Sequence, residues 1–122
     1  MIGTLDVIVL DCPDPDRLAD FYAAVLGMQK FSDDPDWAEV VGSGDASRPI
    51  LAFQRVDNFA APQWPGQVVP QQLHLDVKVD DLDEAERAVL ELGATTTGSG
   101  TQTFRVYLDP AGHPFCLIRP ND

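Results

Sequence analysis

Val7-Ile8-Val9-Leu10-Asp11-Cys12-Pro13-Asp14 is answered 67 residues later by His74-Leu75-Asp76-Val77-Lys78-Val79-Asp80-Asp81. Alternate side chains of a strand share a face. Ile8, Leu10 and Cys12 therefore form one apolar row, matched by Leu75, Val77 and Val79. Val7, Val9 and Asp11 form the other row, matched by His74, Asp76 and Lys78. Each stretch ends on an aspartate suited to capping a helix. After Asp14 comes Pro15, then Leu18, Phe21, Tyr22, Val25 and Leu26 at helical spacing, with Gly27 as the stop. After Asp81 come Leu82, Ala85, Val89 and Leu92, with Gly93 as the stop, and Glu84 stands where a capping box wants it.

Strand-like stretches follow each helix. They are expected near Met28–Phe31, Trp37–Val41 and Ile50–Val56, and again near Ala94–Thr97, Phe104–Leu108 and Pro114–Arg119. The turns expected between them are Gly42-Ser43-Gly44-Asp45, Gly98-Ser99-Gly100 and Asp109-Pro110-Ala111-Gly112. Each half is then strand, helix, strand, strand, strand. One helix covers only one face of a sheet of four, so two such halves predict a curved mixed sheet with helices outside. The expected fold class is α+β: a single domain, 1–122, with module 1 at about 1–57, a connector at 58–72 and module 2 at about 73–122. The connector holds Pro62, Pro65 and Pro70, too many for a hairpin. Trp64 within it is read either as an anchor for the connector or as part of a pocket wall or subunit contact.

Composition narrows the function. The 122 residues include 20 acids and 8 bases, for a formal charge of −12, and 44% are apolar. That is too apolar for a disordered chain. Sixteen of the acids are Asp, a residue of caps and turns. The absence of a basic stripe argues against nucleic acid as a partner. No apolar run approaches a membrane span. The opening Met1-Ile2-Gly3-Thr4-Leu5 lacks the positive start of a signal peptide, so the chain reads as cytoplasmic. Cys12 and Cys116 stand far apart and outside any C-x-x-C pair; Cys12 reads as a small buried hydrophobe.

The order and spacing of these elements carry a family resemblance. Asp14, Phe21-Tyr22 and Leu26-Gly27, followed by His74-Leu75-Asp76-Val77, Asp80-Asp81-Leu82, Leu92-Gly93-Ala94 and Asp109-Pro110-Ala111-Gly112-His113-Pro114-Phe115, resemble the glyoxalase/bleomycin resistance/dioxygenase (vicinal oxygen chelate) superfamily. The similarity is greatest to small actinobacterial-type glyoxalase-like proteins. It implies paired βαβββ modules, eight strands curved around a cleft, and a homodimer. In the metal-using relatives, ligands from the first and last strands of each module hold a divalent ion that acts as a Lewis acid.

Carried onto this chain, the first-strand ligand position of module 2 is His74, but its counterpart in module 1 is Val7, which cannot bind a metal. The position of the usual last-strand Glu, four residues past the Asp-Pro-x-Gly turn, is Cys116. Module 1 offers Gln54, or Ala52 in another register. His74 is thus the one strong candidate metal ligand, and no cofactor is expected beyond a possible divalent metal. The alternative for His74 is a hydrogen-bonded core histidine held by Asp76 or Gln54. Asp11 and Lys78 read as solvated strand ends, and His113 as a turn residue. The candidate ligand-binding residues are His74, Asp76, Gln54, Trp64 and Cys116. The implied function is binding of a small molecule in the cleft, with a cationic ligand favoured by the charge. The alternative is a divalent-metal-dependent lyase or isomerase of the glyoxalase type.

Overall fold

The computed structural model describes residues 1–42 and 49–119. The expected turn at Gly42-Ser43-Gly44-Asp45 falls mostly outside the described residues. The chain divides into two compact units, Met1–Phe59 and Ala60–Asp122. The first holds β1 (Ile8–Cys12), α1 (Pro15–Leu26), β2 (Gln29–Asp34), β3 (Trp37–Val41) and β4 (Pro49–Arg55). The second holds β5 (Leu75–Lys78), α2 (Leu82–Glu91), β6 (Thr95–Gly100), β7 (Phe104–Leu108) and β8 (Pro114–Ile118). Both units are therefore βαβββ, and the eight strands form two mixed sheets of four, ordered β1-β4-β3-β2 and β5-β8-β7-β6. Within each sheet the first strand runs parallel to the last, and the other pairs are antiparallel.

The helix ends follow the aspartates. Oδ1 of Asp14 accepts from the N–H of Arg17 at 3.3 Å, and Pro15 opens α1 without wasting a donor. The N–H groups of Gly27 and Met28 both end on the carbonyl of Ala23, closing the helix. Oδ1 of Asp81 accepts from the N–H groups of Asp83 and Glu84 at 2.9 and 3.1 Å, so the second cap is doubly satisfied. Leu92 departs from its expected place in the apolar row: it is the C-cap of α2 and is exposed, because the helix ends one residue before it.

Each helix lies on one face of its own sheet. On α1, Leu18, Ala19, Phe21 and Tyr22 are buried. Tyr22 stacks on Phe53 of β4 at 5.7 Å, and Phe21 meets Tyr22 edge-on at 5.0 Å. Phe53 is paired with Leu10 and Ala38, so these residues and Val40 point to the same helix-covered side. Cys12 is fully buried there, as read. In the second unit Tyr107 stacks on Phe115 at 5.6 Å and donates its hydroxyl to Glu86 of α2 at 2.7 Å. Burial, and then the Glu86 carboxylate, push the Tyr107 phenol up to about 12. Arg105 beside it is held by Asp83 at 2.8 Å and Glu86 at 3.5 Å. Both cysteines are free thiols.

Gly98-Ser99-Gly100 is a correction to the expected turn. These residues are the end of β6, where the ladder shifts between Thr96 and Gly100. Gly100 has φ of 148°, and a Cβ there would lie 2.5 Å from the carbonyl oxygen of Phe104. A bulge with so close a backbone approach selects glycine as a turn does. β2 likewise runs to Asp34, beyond its expected end at Phe31. No helix among the described residues is long and apolar enough to cross a membrane.

Candidate functional site

The side chains that point away from the helices define the candidate site, and the registers fix them. In the second unit Leu75 and Val77 pair with Phe115 and Leu117 on the helix-covered side. Asp76 therefore points the other way, beside Cys116, which continues the row to Val106 on β7. His74 lies one residue before β5 but keeps the alternation, exposed like Asp76 and Lys78. Its side chain is 45% exposed, so it is not a core histidine; Nε2 lies 3.3 Å from Oδ1 of Asp76. Cys116 is only 9% exposed. One donor atom from each of His74, Asp76 and Cys116 falls within 4.8 Å of the others. Burial, and then the charge and hydrogen bonding of Asp76, push the Cys116 thiol up to about 11.

That position gives a test. Alkylation of Cys116 by iodoacetamide is expected to be slow at pH 8 and to climb only as pH approaches about 11. Asp76→Asn should shift the climb to lower pH by removing a charge that opposes the thiolate. The peptide carrying Cys116, followed by mass spectrometry, reports it; an unchanged pH profile in Asp76→Asn would show that Asp76 does not act on the thiol.

The first unit is furnished differently. Ile8 pairs with Leu51 as Leu75 pairs with Phe115, so Val9 and Ala52 occupy the places of Asp76 and Cys116. Of the two candidates, Gln54 and Ala52, the register selects Ala52 as the partner of Cys116 in the repeat. Val7, Val9 and Ala52 thus stand where the second unit has His74, Asp76 and Cys116, and none can ligate a metal. Gln54 sits one step along, between Asp11 and Trp37.

Two rows cross the helix-free face of this sheet: Asp11, Gln54, Trp37, Asp34 and Val9, Ala52, Glu39, Phe31. Trp37 donates its Nε1–H to Oε2 of Glu39 at 3.0 Å, and Phe31 beside Glu39 is 60% exposed. Sequence reading missed Trp37, Glu39 and Phe31. The signal was the alternation in Trp37-Ala38-Glu39-Val40, whose small and β-branched members face the helix.

Trp64 is half-buried in a loop closed by the N–H of Gln63 on the carbonyl of Val69 at 2.7 Å. Asp11 and Lys78 are exposed. His113 follows a turn that Asp109 organises: its carboxylate accepts from the N–H groups of Ala111 and His113 at 2.9 and 3.0 Å. Two hollows of about 250 and 290 Å³ in the second unit both border Arg105. The charge of Arg105 is already matched by Asp83 and Glu86, and the hollows contain none of the three clustered donors.

A family model described as a glyoxalase-like domain matches residues 7–118. The chain belongs to the glyoxalase-like family. No curated protein matches it. Among solved structures, a glyoxalase/bleomycin resistance protein/dioxygenase family enzyme from Burkholderia phytofirmans PsJN is 17% identical, with a TM-score of 0.69 over 96% of this chain and 98% of that one. TnmS3, an antibiotic binding protein from Streptomyces sp. CB03234, is 23% identical, with a TM-score of 0.57 over 98% of each chain. The E126Q mutant of the fosfomycin resistance protein FosX from Listeria monocytogenes, complexed with Mn(II) and 1S,2S-dihydroxypropylphosphonic acid, is 15% identical, with a TM-score of 0.67 over 99% of this chain and 95% of that one. At these identities the likeness shows a shared fold.

The donor set can be matched to an ion. Manganese and magnesium prefer several oxygen ligands. The glyoxalase-like chain offers one carboxylate at the corner, beside an imidazole and a thiol, and three apolar residues at the repeat positions. That set does not fit a hard cation. It fits a borderline-soft one, which binds Cys, His and Asp together.

Proposed function

We propose that this glyoxalase-like protein binds a small cationic organic molecule rather than turning over a substrate on a hard metal ion. The observation that carries this is the pair of rows on the helix-free face of the first sheet, where Trp37 and Phe31 alternate with Glu39, Asp34 and Asp11. A cation over an aromatic face, beside a carboxylate, gains from both. The net charge of −12 would also speed capture of a cation. Gln54 between Trp37 and Asp11 supplies an amide for orientation. The antibiotic-binding neighbour supports a binding role for the fold. Small-molecule binding at His74, Asp76, Cys116 and Trp64 of the second unit, homodimerisation and a cytoplasmic setting are further parts of the proposal.

A divalent-metal-dependent lyase or isomerase of the glyoxalase type is the second reading. The manganese complex of the fosfomycin resistance neighbour favours it. Against it stands the donor set of the second unit, one carboxylate with an imidazole and a thiol, which does not suit a hard cation, while Val7, Val9 and Ala52 leave the first unit no donors at the matching positions.

The test uses Trp37 fluorescence in a Trp64→Phe background, leaving one tryptophan. Cationic glycopeptides are titrated against neutral analogues of similar size. The expected result is saturable quenching by the cations alone, weakened about two- to fivefold in Glu39→Gln, the range for losing one exposed charge contact. Equal response to neutral analogues, or none to cations, would overturn the proposal.

A further inference from the structure

The larger of the two hollows, about 290 Å³, lies where α2 begins, over the start of β7 and the end of β8. The ladder explains its charged lining. Arg105 pairs with Leu117, which is fully buried on the helix-covered side, and Arg105 reaches Asp83 of α2 on that same side. The N–H of Arg119 meets the carbonyl of Thr103 at 2.9 Å, so the pairing runs one step past β8 and the alternation returns Arg119 to the side of Leu117. Asp80 leads into α2, and Gln102 lies in the turn between β6 and β7; both border the same hollow. Several of its groups are already spent. Asp81 accepts from the N–H groups of Asp83 and Glu84, which closes the helix end to an outside anion. Asp83 is held by Arg105 at 2.8 Å. The side chains of Asp80, Gln102 and Arg119 are left, with no ion pair or hydrogen bond among the described residues.

We propose that this hollow binds a small zwitterion of the free α-amino acid class. Asp80 takes the ammonium, Arg119 takes the carboxylate, and Gln102 donates an amide N–H beside it. A carboxylate and a guanidinium that border one space without pairing are satisfied together by a guest carrying both charges. A simple cation would meet Asp80 but face Arg119 and Arg105, and a simple anion would meet Arg119 but face Asp80, so each alone is disfavoured. The size limits the guest. The hollow sits just below the roughly 300–1,000 Å³ of pockets for drug-sized molecules. Leu82 is the one apolar side chain bordering it, so the guest has a short side chain. The contacts are exposed, which sets binding in the millimolar range and suits sensing of an abundant metabolite. The site lies on the opposite side of the second sheet from His74, Asp76 and Cys116, and it is separate from the cation-binding face of the first sheet.

The experiment follows backbone amide shifts of the isotope-labelled full chain by nuclear magnetic resonance. It is titrated at constant ionic strength with L-alanine, with ethylamine, which lacks the carboxylate, and with propionate, which lacks the ammonium. L-alanine is expected to give saturable shifts at Asp80, Leu82, Gln102 and Arg119, and the two single-charge analogues far smaller ones. Asp80→Asn and Arg119→Gln should each weaken L-alanine about two- to fivefold, the range for losing one exposed charge contact. The selectivity should also change in opposite senses: propionate gains on L-alanine in Asp80→Asn, and ethylamine gains in Arg119→Gln. Both residues are exposed and their side chains unpaired, so the variants are expected to stay folded, which the dispersion of the same spectra checks. Equal responses to all three compounds, shifts that do not saturate, or L-alanine affinity unchanged in both variants would overturn the assignment. None of these outcomes bears on quenching of Trp37 by cations in the first unit.

Discussion

Tyr22→Ala is expected to destabilise the chain by about 3–5 kcal/mol, the range for removing a buried aromatic ring. The ring is fully buried, stacked on Phe53 and met edge-on by Phe21. Its loss leaves a hole between α1 and β4 that the paired strands cannot collapse into. Domains of this size hold roughly 5–15 kcal/mol in total, so about a fifth or more of the margin would go. The melting temperature should fall on the order of 15 °C. Phe31→Ala is the contrast. It removes a similar ring from the exposed, helix-free face and should change stability by less than about 0.5 kcal/mol, while weakening capture of a cation. Urea denaturation of both variants separates the two roles. Similar losses in both would mean that the two faces of the first sheet do not divide labour as described.

Asp109→Ala should cost about 2–3 kcal/mol, the scale for hydrogen bonds to a charged group that leave buried donors unmet. Asp109 is a nearly buried carboxylate, and it accepts from two N–H groups of the turn that feeds β8. Gly112 in that turn has φ of 95°, and a Cβ there would come within 2.8 Å of the Ala61 Cβ, so the loop has little freedom to rearrange. Cys116 lies four residues beyond Gly112. Its alkylation should therefore quicken in Asp109→Ala as the start of β8 loosens. Asp109→Asn retains an acceptor oxygen and should recover most of the loss. Equal damage in both variants would assign the effect to the charge instead of the accepted N–H groups.

Most of the fold was legible because each module punctuates itself. Asp14 and Asp81 cap, Gly27 and Gly93 stop, and the alternating rows of β1 and β5 declare which side meets a helix. Where reading failed, two structures share one local signal. Gly98-Ser99-Gly100 serves a bulge as readily as a turn, because both want a residue without Cβ. Leu92 fits the helical spacing, yet the helix ends at Glu91. The site was harder. Alternation places Ala52 and Gln54 on the same face, and only the ladder decides which of them matches Cys116. Asp76 read as a candidate ligand-binding residue and not as a neighbour of Cys116, because 40 positions separate them and a hydrogen-bonded pairing joins them. Trp37 and Glu39 were passed over as ordinary strand residues. A propensity argument does not show which flank of a strand meets open space.

The repeat keeps its helix-facing rows apolar while letting the reverse rows diverge, one toward acids and rings, the other toward imidazole, carboxylate and thiol. Neighbours on those reverse rows are set by main-chain pairing, which is blind to side-chain identity. Positions 9, 39, 54 and 76, none of them buried, are thus a ready-made palette: a combinatorial library confined to them would vary what the molecule grips while the scaffold beneath goes on folding.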